Sequence, residues 1–196
     1  MSETQAIDWE SRYRSGSTGW ERHGLNPACL AWRGSGALSP CRILFPGAGR
    51  SLEPLALAEA GFDVTVVDAA PSAVAIQRAN FERLKVAARA EQADLFAWDP
   101  EHPFDAIYDQ TCLCALPPAL WPNYARRLYR WLRPDGNLFI LFMQTNGTGG
   151  PPFHCDLDAM RRLFSAPAWV WPEKLLDRIE HPSGIGSEQP VILRRR

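Results

Sequence analysis

Two short stretches hold the residues whose types and spacing point most directly to chemistry. Ile43-Leu44-Phe45-Pro46 runs into Gly47-Ala48-Gly49-Arg50-Ser51, and Val64-Thr65-Val66-Val67 ends in Asp68 about twenty residues later. An apolar run that stops at Gly-x-Gly and opens a helix reads as the first strand, turn and helix of a doubly wound sheet. Without a Cβ, Gly47 and Gly49 let the backbone turn sharply and come close to a ligand, and the N–H groups of a helix starting near Ser51 point the same way. A carboxylate closing the next strand is placed to accept from both hydroxyls of a ribose. The pair predicts an adenosine-containing ligand over the carboxyl ends of a parallel sheet.

The departures from two known phosphate motifs narrow that ligand. Gly49 is followed by Arg50, Ser51 and Leu52, so the third glycine of the dinucleotide fingerprint is absent. A Gly-rich loop ending in Gly-Lys is absent too. A nucleoside without pyrophosphate fits, and S-adenosyl-L-methionine is the common one on such a sheet. The competing reading is a turn whose glycines serve geometry alone.

Other reactive groups are fewer. Phe104-Asp105-Ala106-Ile107-Tyr108-Asp109 reads as a fourth strand, and Asp109 at its end is the candidate for a catalytic or positioning carboxylate. Its competing role is to cap the following turn. His154 follows a Gly-Pro-rich loop and could act as a base, because imidazole titrates near neutrality. Cys112 and Cys114 read as small packing residues. The five cysteines lack paired C-x-x-C spacing and the four histidines stand far apart, so neither a metal site nor a disulfide framework is expected.

The elements that must position these groups alternate along the chain. Strands are expected at 42–45, 63–67, 87–91, 104–109 and 138–143, with helices over 51–59, 72–84, 120–132 and 157–164. Gly61 closes the first of these helices and Pro71 starts the second. Two last strands near 170–179 and 190–194 add an antiparallel edge. Residues 1–35 have no strong period but carry Trp9, Tyr13, Trp20 and Trp32, too aromatic a set for a disordered tail. The expected architecture is one α/β domain over 1–196: a single doubly wound, mostly parallel, seven-stranded sheet at 36–196 and an N-terminal helical lid at 1–35.

Bulk properties exclude several classes. A hydrophobic content of 46% with 22% charged residues is that of a globular chain able to bury a core. A net charge of -1 implies no general attraction to nucleic acid or an anionic membrane. No signal peptide or membrane-length apolar run is readable. A reduced, cytoplasmic monomer acting on a small molecule is the default expectation.

The chain resembles the thiopurine S-methyltransferase family of class I S-adenosylmethionine-dependent methyltransferases. The matching pieces are Trp9-Glu-Ser-Arg-Tyr13-Arg-Ser-Gly16-Ser-Thr18-Gly-Trp20, Leu44-Phe-Pro46-Gly-Ala-Gly49-Arg-Ser-Leu-Glu53, Phe104 to Asp109, Ala115-Leu-Pro117 and Gly150-Pro-Pro-Phe153. They stand in family order and cover nearly the whole chain. The resemblance implies a Rossmann-like methyltransferase fold. It implies that Trp9, Tyr13 and Trp20 close over the cofactor, with Trp20 also shaping the acceptor pocket. Gly47 would contact the methionine portion, Asp68 the ribose, and Asp94 with Leu95 the adenine, with Gly49 also at the cofactor site. Phe153 and His154 would lie toward the acceptor. Gln110 would serve both ligands, and it stands where the family commonly has Arg. An amide offers neither the fixed charge nor the planar fork of a guanidinium, so an anion-binding role there is in question.

Methyl transfer from a sulfonium is an in-line displacement that needs alignment, exclusion of water and removal of any proton from the acceptor. Alignment alone supplies about 7–11 kcal/mol in favourable cases. A thiolate or a related selenium or tellurium nucleophile needs no strong base, and aromatic walls suit a sulfonium cation. The leading expectation is therefore methylation of a small soft nucleophile. A different oxygen or nitrogen acceptor, or an inactive module that only binds the adenosine ligand, are the alternatives, and Gln110 keeps the last one open.

Overall fold

Short apolar runs flanked by glycine and proline form the strands, and two-residue alternation sorts their side chains to opposite faces. The computed structural model describes residues 7–145, 147 and 149–196. In chain order it contains α1 (Trp9–Ser15), α2 (Pro27–Gly34), β1 (Arg42–Pro46), α3 (Glu53–Glu59), β2 (Asp63–Asp68), α4 (Pro71–Leu84) and β3 (Ala88–Gln92). Then come β4 (Phe104–Gln110), α5 (Cys112–Ala115), a 3-10 turn at Pro118–Leu120, α6 (Trp121–Trp131) and β5 (Leu132–Thr145). The chain continues with α7 (Leu157–Leu163), β6 (Trp169–Val170), β7 (Ile179–Glu180) and β8 (Gly186–Arg195).

The strands form one sheet in the order β3-β2-β1-β4-β5-β8-β6, with β7 paired to β8. β1 to β5 run parallel, and β8 enters antiparallel against β5 and β6. The chain winds outward from β1 to β3 and then crosses back to β4. The crevice at that reversal, at the carboxyl ends of β1 and β4, is where an open α/β sheet binds ligands.

Each face of the sheet is covered. Ile43 and Phe45 of β1 pack with Trp32, Leu57, Val74 and Phe81 beneath α2, α3 and α4. Leu44, between them, points to the opposite core with Tyr124, Leu128 and Trp131 of α6. Asn26 caps α2 by accepting from the Ala28 N–H at 2.9 Å, and Pro27 occupies its first turn. Among the described residues, no helix is long and apolar enough to cross a membrane.

Three features differ from the sequence expectation. The segment expected as one strand over 170–179 holds two short ones, β6 and β7, with Pro172 in the stretch between them. This makes eight strands instead of seven. β5 begins at Leu132, ahead of the expected 138, and takes residues 134–137 into itself across an irregularity opposite Phe104 and Ala106. Gly136 is required there, because a Cβ would meet the Arg133 and Asp105 carbonyl oxygens at 2.9 and 3.0 Å. Finally, the 1–35 segment divides. α2 belongs to the layer on the sheet, with Trp32 only 2% exposed and its ring 5.7 Å from Tyr108 and 5.2 Å from Phe139. Of the residues before it, 7–26 lie over the crevice, and the expected lid's residues 1–6 fall outside those described.

Candidate active site

The Gly47–Gly49 turn is built to be crowded. Both glycines have a φ of 56°, the left-handed region that a Cβ disfavours. A Cβ on Gly47 would meet the Cys112 Sγ at 2.7 Å, and one on Gly49 would meet the Tyr13 hydroxyl oxygen at 2.1 Å. Asp68 braces the turn from β2. Its Oδ2 accepts from the Gly49 N–H and its Oδ1 from the Ala70 N–H, both at 2.8 Å. Burial pushes the Asp68 carboxyl above its ordinary value, and those backbone donors oppose the rise. Each oxygen keeps a second lone pair for a ligand hydroxyl.

These groups open onto a cleft with mostly apolar walls, the character of a small-molecule site. Trp9, Tyr13 and Trp20 form one wall. Trp20 packs edge-on against both other rings, at 5.6 Å from Trp9 and 5.9 Å from Tyr13. Gly47, Asp68, Asp94 and Leu95 line the floor. Seven of the residues expected at the site therefore face one cavity.

The rest are placed otherwise. Gly49 lies beneath the Tyr13 hydroxyl. Gln110 lines a smaller adjoining hollow beside the Gly turn, with Arg22 and Arg50, and its Oε1 accepts from the Tyr108 hydroxyl at 3.2 Å. The amide thus does not leave that region without cations. His154 faces a third hollow next to Gln144, where its Nδ1 accepts from the Thr145 N–H at 3.1 Å. Phe153 lies against Gly150, and its N–H donates to the Cys114 carbonyl at 2.7 Å. Its neighbours Pro151 and Pro152 reach the cleft in its stead.

Asp109 does not line the cleft. It is 0% exposed, its Oδ1 accepts from the Cys112 and Leu113 N–H groups, and its Oδ2 accepts from the Tyr124 hydroxyl at 2.9 Å. The carboxylate caps the start of α5, the structural role weighed against the catalytic one. Burial pushes it from the ordinary 3.8 up to about 6.

Several cleft residues carried no sequence signal of their role. Arg12 lines the cavity, with its guanidinium 5.4 Å from the Trp9 ring centre. Thr111, Cys112, Cys114 and Met143 line it from the ends of β4 and β5. Burial pushes both thiols well above their ordinary value, so they stay protonated. His181 comes from the loop after β7. Helical spacing identifies Arg12 as a neighbour of Trp9, but only the fold brings in the C-terminal histidine.

The N-terminal segment is pinned over the cleft by polar contacts. The Glu10 carboxylate accepts from the N–H and hydroxyl of Ser72 at the start of α4, at 3.0 and 2.8 Å. Arg50 donates to both oxygens of Glu21 at 2.6 and 2.8 Å. Arg22 donates to the Glu180 carbonyl at 2.7 Å and to Glu188 at 3.2 Å. Asn26 joins the same buried cluster, donating from its side chain to Glu188 and from its N–H to Glu53.

With this geometry in view, three comparisons bear on identity. The family model described as Thiopurine S-methyltransferase (TPMT) matches residues 4–182. The chain belongs to the thiopurine S-methyltransferase family. It is an S-adenosylmethionine-dependent methyltransferase. It is 30% identical over 167 residues to "Probable thiol methyltransferase 2" of Arabidopsis thaliana, covering 84% of this chain and 74% of that one. It is 26% identical over 194 residues to a "Thiopurine S-methyltransferase" of Legionella pneumophila, covering 89% and 87%. Its fold matches a solved Burkholderia thailandensis 1,6-didemethyltoxoflavin-N1-methyltransferase, which carries S-adenosylhomocysteine. There the TM-score is 0.78 at 22% identity, over 96% of this chain and 85% of the other.

The cleft of this methyltransferase fits the cofactor. The glycine turn leaves a cradle that a Cβ would fill, Asp68 retains acceptor capacity, and the aromatic wall suits a cation.

The buried Asp109 gives a test of the site's foundation. A carboxyl raised on folding adds stability in acid that is lost as pH rises through its folded value. The stability of the native protein relative to Asp109→Asn should therefore fall by about 3 kcal/mol between pH 4 and pH 7, then level off. Urea denaturation of both proteins across that range measures it. A difference that does not vary with pH would mean that Asp109 titrates normally.

Proposed function

We propose that this enzyme transfers a methyl group to a small, soft, sulfur-type acceptor, with the acceptor entering already ionised. The observation that carries the reading is that the acidic groups around the glycine turn and the end of β4 are engaged or held protonated. Asp109 is sealed under Tyr124, both lining thiols are held protonated, and the Asp68 carboxylate is engaged by two backbone donors. An oxygen or nitrogen acceptor would need a proton removed. A thiolate brings its own electron pair. The names of the thiol and thiopurine relatives support the same class.

The residue roles follow from chemistry. S-adenosylmethionine supplies an activated methyl on a sulfonium. Asp68 holds the ribose, Asp94 and Leu95 border the adenine, and Gly47 lets the methionine portion lie against backbone. Trp9, Tyr13 and Trp20 exclude water and present ring faces and edges to the cationic centre, a contact worth about 0.5–2 kcal/mol. Arg12 adds a cation to the same cavity. Residues 7–26 act as the lid, held by Glu10, Glu21 and Arg22. We read the protein as a cytoplasmic monomer that needs neither nucleic acid nor membrane; its five cysteines, all free thiols, support a reducing compartment.

Turnover of a panel of matched thiols, phenols and amines tests the acceptor class. Methylation confined to thiols is the expected result, and turnover of catechols or amines with none of thiols overturns it. In titration calorimetry the protein should bind S-adenosylhomocysteine and not NAD. Asp68→Ala should weaken that binding by about 1.5–3 kcal/mol, the range for hydrogen bonds with a charged partner. An unchanged affinity would remove Asp68 from the ribose site. Hydrogen exchange of peptides within 7–26 should slow when S-adenosylhomocysteine is added. Equal rates with and without ligand would make the segment a fixed wall or a loose tail, depending on whether exchange is slow or fast.

A further inference from the structure

We propose that Gln77 is a positioning residue for the cofactor, whose side-chain amide reaches from α4 and holds the glycine turn in the shape that receives the methionine portion. The proposal rests on the placement of the cofactor at that turn, and it is independent of which acceptor is methylated. Gln77 stands out by its place in the helix. The buried residues of α4 are Ala73, Val74, Gln77 and Phe81, and spacings of three and four put Val74, Gln77 and Phe81 on one stripe. Val74 and Phe81 join the core beneath the sheet with Trp32 and Leu57. Gln77, in the middle of that apolar stripe, is polar and 0% exposed.

The amide has a specific task there. Its Nε2 donates to the Gly49 carbonyl at 3.1 Å and to the Ser51 carbonyl at 2.9 Å. Carbonyl oxygens only accept, so the nitrogen must face the turn and the amide cannot be turned round. Its Oε1 is thereby left buried, with no hydrogen-bond partner among the described residues. An apolar side chain would avoid that stranded acceptor. The two bonds to the turn are what only the amide supplies.

These bonds complete a clamp on one residue. The Gly49 N–H is held by Asp68 from β2, and the Gly49 carbonyl by Gln77 from α4. Gly49 is the glycine with a φ of 56° whose missing Cβ makes room for the Tyr13 hydroxyl. Without Nε2, the Gly49 and Ser51 carbonyls must find other donors, and the turn shifts as they do. The same helix carries the lid contact, because Ser72 in its first turn meets Glu10. One helix therefore sets both the turn beneath the cofactor and the aromatic wall above it.

Titration calorimetry with S-adenosylhomocysteine tests this. Gln77→Met keeps the length of the side chain and removes both donors, and it should weaken binding about tenfold. Val74→Ala, on the same stripe but without a bond to the turn, should lower stability to urea and leave the affinity unchanged. Gln77→Glu sets an acceptor against two acceptors when ionised and offers one donor when protonated. Its affinity relative to the native protein at the same pH should therefore be lowest under mildly alkaline conditions and recover under mildly acidic ones. Native affinity in Gln77→Met overturns the proposal. An equal loss in Val74→Ala also overturns it, since the effect would then be a loosening of α4 as a whole. Should Gln77→Met fail to fold, the Gln77→Glu ratio decides, and a ratio that does not vary with pH overturns the proposal. Asp68→Ala separates this proposal from the placement on which it rests. Weakened binding in Asp68→Ala with native binding in Gln77→Met removes Gln77 alone, whereas native binding in both moves the cofactor away from the turn.

Discussion

Two backbone N–H groups converge on one buried carboxylate, and the site is arranged around that meeting. Asp68 takes the Gly49 N–H from the turn after β1 and the Ala70 N–H from the approach to α4. Neighbouring strands are thereby tied together where the sheet's crossover opens the crevice. The arrangement is demanding, because a charge is kept out of water and must be met by well-aimed donors. It also leaves the turn tight enough for Tyr13 to close on Gly49 with no room for a Cβ. The aromatic wall is therefore set on the cofactor cradle by geometry as well as by apolar contact.

The second organising feature is the cluster of Arg22, Asn26, Glu53 and Glu188. Burial raises both carboxyls, while Arg22 and Asn26 hold them down. Buried ion pairs are weak sources of net stability, and removal of one partner strands the other. In this protein the cluster joins the lid segment, the start of α2, the first turn of α3 and β8. Its effect is to specify how distant parts of the chain meet over one cavity, with His181 at its margin.

Those two features also mark what the sequence could reveal. The β1 turn and Asp68 were legible because their chemistry is local: an apolar run, two glycines and a carboxylate at fixed spacing. The order of strands and longer helices from β1 to α6 followed from the same periodicities, with the four-residue α5 too short to show one. Asp109 lies one residue from the end of β4, close to where the sequence puts it, yet strand position alone does not say whether a carboxylate faces ligand or caps the next helix. Tyr124, fifteen residues on, decides that. The C-terminal third was harder. β6 and β7 are two residues each, too short to carry alternation. His181 sits in a turn of ordinary composition, and its place at the cleft margin arises from packing against elements more than a hundred residues away. His154 had the more suggestive neighbours and faces elsewhere.

The place of β8 has a consequence for how the protein comes into being. It is the last strand of the sheet in chain order, yet it lies inside the sheet between β5 and β6, and its Glu188 receives Arg22 from the opposite end of the sequence. During vectorial synthesis the glycine turn, Asp68 and the aromatic segment all leave the ribosome well before that strand. Until it arrives, β5 presents an open edge and the lid lacks its anchor, so the nascent chain passes through a stage in which its cofactor cradle exists without a roof. Completion of the cleft is thus coupled to completion of the sheet, and a ribosome-bound fragment carries the binding motif without the enclosed site.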